Sequence, residues 1–128
     1  MTNPCLLIVD DEPEMAEYVG DVADGMGFDC VIATSAKDAL DLYGIHKPIG
    51  IVMDVVMPDM DGIELVQALA ALGCVVPIIV MSGYKKIYID MIKALAANQK
   101  TIIVGGLSKP FRAAELEALL KQILETLD

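Results

Sequence analysis

At 128 residues, 55% of them hydrophobic, the chain is long enough to bury roughly two-thirds of its unfolded surface, and it is expected to fold as one domain over residues 1–128. Nineteen acidic residues against nine basic leave a net charge of -10, which repels phosphate backbones and anionic lipid surfaces and argues against direct nucleic-acid or membrane binding. Cys5, Cys30 and Cys74 are odd in number, lack metal-ligand spacing and adjoin apolar runs, so they are expected as buried free thiols in a reducing cytoplasm.

The first apolar run, "CLLIV", follows a start with no basic stretch and no cleavage site, so no signal peptide is expected. After it, Pro13 suits a first helical position, and Met15, Val19, Val22 and Met26 recur on one helical stripe ending near Gly27. "CVIA" comes next, then Ser35 with Asp38 as a capping pair and a stripe of Ala36, Ala39, Leu40 and Tyr43 ending near Gly44. A third run, "IGIVM", leads to Asp54 and a turn-rich "MPDMDG", followed by Leu65, Leu69 and Leu72 and then Gly73. "VVPIIV" precedes a helical stripe of Ile87, Met91, Ala94 and Leu95. "TIIVG" precedes a last one of Leu116, Leu119, Leu120, Ile123, Leu124 and Leu127. The longest apolar stretch, "ALAALGCVVPIIVM", is shorter than the roughly 18–20 residues a bilayer requires and is interrupted by Gly73 and Pro77.

Five strand-like runs alternating with five helical patterns predict βαβ units. Because the runs are apolar throughout rather than alternating, both sheet faces are expected to be covered. The predicted fold is α/β: a doubly wound, five-stranded parallel sheet of the flavodoxin-like (βα)5 kind, with strand order 2-1-3-4-5.

In such a sheet ligands gather beyond the carboxyl ends of the strands. There the sequence places Asp10, Asp11 and Glu12 after the first run, Asp54 after the third, Ser82 after the fourth and Lys109 after the fifth. If the first and third strands are neighbours, as in that order, Asp10, Asp11 and Asp54 converge on one small volume. Two carboxylates about 4 Å apart repel by roughly 4 kcal/mol at an effective dielectric of 20, so the group needs a proton, a cation or intervening water. A hard divalent cation such as Mg²⁺ suits a site of few carboxylates completed by waters and a phosphate-type oxygen.

"IVDDE", "MDVVMPDMDG", "MSG" and "LSKPF", in this order across nearly the whole chain, resemble the receiver domain of two-component response regulators. The resemblance implies that Asp54 accepts a phosphoryl group from a histidine kinase or histidine phosphotransfer protein. Mg²⁺ would be held by Asp10, Asp11, Asp54 and the backbone carbonyl of Val56, with Asp11 the more direct ligand. It further implies that Lys109 and Ser82 contact the phosphoryl oxygens, that Pro110 follows a cis peptide bond aiming Lys109, and that only self-phosphorylation and slow self-dephosphorylation are expected of the chain itself. Gly83 would keep the surroundings of Ser82 open, Pro58 and Gly62 would shape the loop after Asp54, and Asp59 and Asp61 are expected as turn and cap residues.

The conformational switch would pass through Ser82. The family often carries an aromatic three residues before the lysine, but Gly106 stands there, and Tyr84 is an alternative modulator of access to the phosphoryl group. The segments around "SGYKKIYIDMIKALA" and "GLSKPFRAAELEALL" also resemble receivers attached to EAL-type cyclic-di-GMP phosphodiesterases, so such a module is one candidate downstream partner, and homodimerisation is another output. Three other readings remain at this point. A haloacid-dehalogenase-type phosphohydrolase would carry a second acid where Val56 stands. An EF-hand would need its first ligand at Met57 and its closing acid at Ala68. A receiver-like scaffold that no longer phosphorylates would have no use for the complete acid, hydroxyl and lysine set.

Overall fold

A computed structural model describes residues 3–83, 86–97 and 101–127, apart from the side chains at 86–88 and 96. Strands and helices alternate as predicted: β1 (Cys5–Val9), α1 (Pro13–Asp24), β2 (Asp29–Ala33), α2 (Ala36–His46), β3 (Gly50–Asp54), α3 (Gly62–Ala71), β4 (Pro77–Ser82), α4 (Lys86–Ala97), β5 (Ile102–Ser108) and α5 (Ala113–Glu125). The pairings among these strands are parallel, and the sheet order is β2-β1-β3-β4-β5, the flavodoxin-like order expected.

Successive residues of each central strand enter opposite cores. Leu7, Val9, Ile51, Met53, Ile78 and Val80 pack with α2, α3 and α4, whereas Leu6, Ile8, Val52, Ile79 and Met81 pack with α1 and α5. That division is the physical reason the runs are continuously apolar: the pleat alternates side chains between two faces, and both faces are buried.

Capping explains several boundaries. Pro13 opens α1, and Ser35 caps α2 by accepting the Asp38 N–H at 3.1 Å. Gly27 and Gly73 adopt the left-handed φ values of 94° and 81° that side chains resist. Gly44, by contrast, lies inside α2; the helix runs on to His46 and ends at Lys47, itself left-handed at φ 47°.

The helical stripe expected for α4 is out of phase. Ile89 and Ile92 are the buried residues, Met91 and Ala94 are exposed, Leu95 is half-buried, and the Ile87 side chain lies outside the described residues. Apolar residues surround this helix on several sides, so periodicity admits more than one phase. Leu72 and Leu127 are likewise exposed beyond the ends of α3 and α5, and of the three cysteines only Cys74 is buried, Cys5 and Cys30 being half-buried on β1 and β2.

Candidate functional site

β1 and β3 are neighbours, so their carboxyl ends deliver Asp10 and Asp54 side by side, and β4 and β5 bring Ser82 and Lys109 to the same rim. Lys109 joins the two carboxylates. Its Nζ lies 2.9 Å from Asp10 Oδ2 and 3.3 Å from Asp54 Oδ2, with Glu12 Oε1 at 3.8 Å. Asp10 is fully buried and its other oxygen accepts the Glu12 N–H at 2.9 Å, so both its oxygens are engaged by protein. Asp54 Oδ1 accepts the Val56 N–H at 3.3 Å, which fixes the carboxylate at the start of the following loop.

Burial pushes the Asp54 carboxyl above its usual range; the charge of Lys109 and the Val56 N–H pull against this, and the charge of Asp10 adds to the rise. For Lys109 burial pulls the other way, but the hydrogen bond to Asp10 and the charges of Asp54 and Asp10 outweigh it and hold the ammonium above its ordinary value. The lysine therefore stays charged among carboxylates at neutral pH.

Carboxylate oxygens of Asp10, Asp11, Glu12 and Asp54 all fall within 4.8 Å of one another. This donor set is all oxygen and all anionic, which fits a hard divalent cation and not a soft one. Glu12 is the member that sequence reasoning left out of the metal set, although it stands directly after Asp10 and Asp11; its side chain is 68% exposed and reaches in from the rim.

Beside this cluster lies a cavity of about 220 Å³ lined by Asp11, Glu12, Asp54, Val56, Gly83 and Lys109, large enough for a phosphoryl group with waters. A larger recess of about 430 Å³ lies among Gln67, Gly73, Cys74 and Thr101 near the opposite end of the strands and has no charged lining residue.

Ser82 is buried at the end of β4, and its carbonyl accepts the Lys109 N–H at 2.7 Å. The Lys109–Pro110 peptide bond is cis, as expected. Tyr84 lies outside the described residues. Gly106 is paired with Val80, and Ile89 Cγ2 occupies the space where its β-carbon would stand, with Ile89 Cδ1 3.2 Å from the same point. A residue of α4 thus fills the ground above β5 at the position where the family often has an aromatic.

Asp59 and Asp61 are caps, as expected, and they cap different helices. Asp61 accepts the Glu64 N–H at 2.8 Å at the start of its own α3. Asp59 reaches to α2, accepting from Ala36 at 3.1 Å and Lys37 at 3.2 Å.

A family model of the response regulator receiver domain matches residues 6–121. The chain is 32% identical over 124 residues to the transcriptional regulatory protein PrrA of Mycobacterium tuberculosis, covering 97% of this chain and 51% of that protein. It is 32% identical over 127 residues to the transcriptional regulatory protein TctD of Salmonella typhimurium, covering 93% and 51%. The chain therefore spans about half the length of the curated relatives it matches. Among solved structures, the receiver domain of the Francisella response regulator 1452 superposes with a TM-score of 0.83 at 25% identity, covering 98% of this chain and 100% of that one. The chemotaxis response regulator CheY4 of Vibrio cholerae superposes with a TM-score of 0.81 at 25% identity, covering 95% and 99%.

Proposed function

The chain belongs to the response regulator receiver domain family of two-component signalling, and from that premise we propose that Asp54 is its phosphoacceptor. A carboxylate oxygen of Asp54 attacks the phosphorus of a phosphohistidine on a kinase or phosphotransfer protein. The P–N bond breaks, the imidazole nitrogen keeps its electron pair, and an acyl phosphate forms on Asp54.

One observation carries the reading: a single ammonium, Lys109, bridges two buried carboxylates from adjacent strands beside a cavity lined by two further acids. Lys109 holds Asp54 in place before transfer and is placed to pair with the arriving phosphoryl oxygens. Ser82, whose carbonyl is tied to the Lys109 backbone, would donate its hydroxyl to another of these oxygens. Asp11, Glu12, Asp54 and the carbonyl of Val56 would hold Mg²⁺, with Asp10 committed to Lys109 and acting from behind. When bound, the ion would offset the negative charge gathered around the transferring group.

The added charge of roughly -1.5 to -2 would then shift the populations of two conformations through Ser82 and the segment after β4. Gly106 removes the aromatic route for that shift, so Ile89 on α4 would take part instead, together with Tyr84, two residues after Ser82 in sequence. Residues 1–128 would act as one receiver unit in the cytoplasm, turning over no external substrate. No helix among the described residues is long and apolar enough to cross a membrane. The two curated relatives named above, PrrA and TctD, are transcriptional regulatory proteins, which favours a transcriptional output ahead of an EAL-type phosphodiesterase.

Incubation with acetyl phosphate or phosphoramidate and Mg²⁺, read by intact mass, tests the assignment. One added phosphoryl group is expected on the native chain and none on Asp54→Asn or in the presence of EDTA. Label persisting on the variant would reject Asp54 as the acceptor.

A further inference from the structure

The loop between β3 and α3 is tied down at both ends. At its base the Gly62 N–H donates to the Val55 carbonyl at 2.6 Å, and Val56 and Asp61 form an isolated antiparallel bridge. The approach is so close that a β-carbon on Gly62 would sit 2.7 Å from Val55 Cα. Asp59, farther out on the loop, fastens it to α2, a helix more than twenty residues away in the chain.

α2 has a cap of its own. Ser35 already satisfies the Asp38 N–H, and the two Asp59 oxygens accept from the remaining Ala36 and Lys37 N–H groups across a gap between elements. Both Asp59 oxygens are used, and the negative charge stands at the positive end of a helix dipole. These backbone donors, the Ala36 N–H foremost, hold the Asp59 carboxyl below its usual range despite its exposure.

We propose that Asp59 is a positioning residue for the metal side of the phosphoacceptor site: it holds the loop so that Val56 keeps its carbonyl beside Asp54. The inference rests on the reading of the site given above. Asp59 does not line the site cavity, whereas Val56 does, and Val56 is also the residue whose N–H bonds Asp54 Oδ1. Asp59 is joined to Val56 through Met57 and Pro58, so the fastening at the N-terminus of α2 lies two residues of chain from the residue that bonds the nucleophile. With the outer fastening gone, the loop is held by its base alone, so Val56, tied there by its bridge to Asp61, is held less firmly than when both fastenings act.

The test compares Mg²⁺ affinity, by calorimetric titration with Mg²⁺ alone, in the native chain, Asp59→Ala, Asp59→Asn and Ser35→Ala, with urea unfolding of each. Asp59→Ala is expected to weaken Mg²⁺ binding about tenfold, at the low end for residues that orient metal ligands. Asp59→Asn, with one acceptor oxygen instead of two, should fall between and serves as the measurement if the alanine variant does not fold. Ser35→Ala removes the local cap of the same helix and should lower stability without moving Mg²⁺ affinity. Native affinity in both Asp59 variants, or an equal loss in Ser35→Ala, would overturn the positioning role. A native chain that binds no Mg²⁺ would instead overturn the reading of the site on which this one rests.

Discussion

Ile89 on α4 stands where a side chain on Gly106 of β5 would have to go. The neighbouring Gly105 is pressed from the other face, with Leu119 Cδ2 2.6 Å from its would-be β-carbon, so two consecutive glycines let α4 and α5 both approach the edge strand closely. The missing aromatic is thus matched by a compensating isoleucine, and the two positions should behave as one unit.

Gly106→Ala is expected to destabilise the chain by about 1–3 kcal/mol through overpacking. Ile89, only 3% exposed, should cost about 2–5 kcal/mol when truncated to alanine. Combined, the two changes should cost clearly less than their sum, because each relieves the other. Urea unfolding of the four chains measures this, and strict additivity would show that the contact is not made in solution.

Lys109→Met should be severely destabilising, by about 3 kcal/mol, because it strands the fully buried Asp10 without its countercharge. Adding Asp10→Asn should recover much of the loss by removing the stranded charge. Chemical denaturation of single and double variants distinguishes this from a simple loss of packing around the lysine stem, which the second substitution would leave uncorrected.

Asp54→Asn should stabilise the metal-free protein at neutral pH. The Asp54 carboxyl is raised in the fold, chiefly by burial, so between its unfolded and folded values the folded state binds more protons than the unfolded state, and stability falls as pH rises through that window. The gain from asparagine should therefore be full at pH 7 and vanish below the unfolded carboxylate value of about 3.9. Mg²⁺ should narrow the gap by binding the native chain more tightly. Thermal unfolding against pH in EDTA checks the sign: a variant less stable than the native chain at pH 7 would mean that burial does not dominate the Asp54 environment.

Strand identity and the polar strand ends that carry Asp10, Asp11, Asp54, Ser82 and Lys109 were legible in one dimension because parallel sheets impose a strong pattern, whereas the strand order that gathers them came from the flavodoxin-like fold and not from the pattern itself. Doubly buried strands must be apolar throughout, and polar residues survive only at their carboxyl ends. Caps were legible for a similar reason, since Pro13 and Ser35 act within one turn of themselves. The phase of α4 was not: its apolar residues surround the helix, and only the bare backbone of Gly106 on a distant strand selects Ile89 as the one that packs there. Nor could the partner of Asp59 be read from the chain, because side-chain chemistry marks it as a cap without saying which helix lies within reach. Local rules of pleat, turn and helix period thus determined which elements form and where their polar ends lie. Which side chain bonds across the gaps between elements was decided only by the close packing of segments far apart in sequence, where a missing β-carbon or a pair of unsatisfied amides on one element sets what the other must supply.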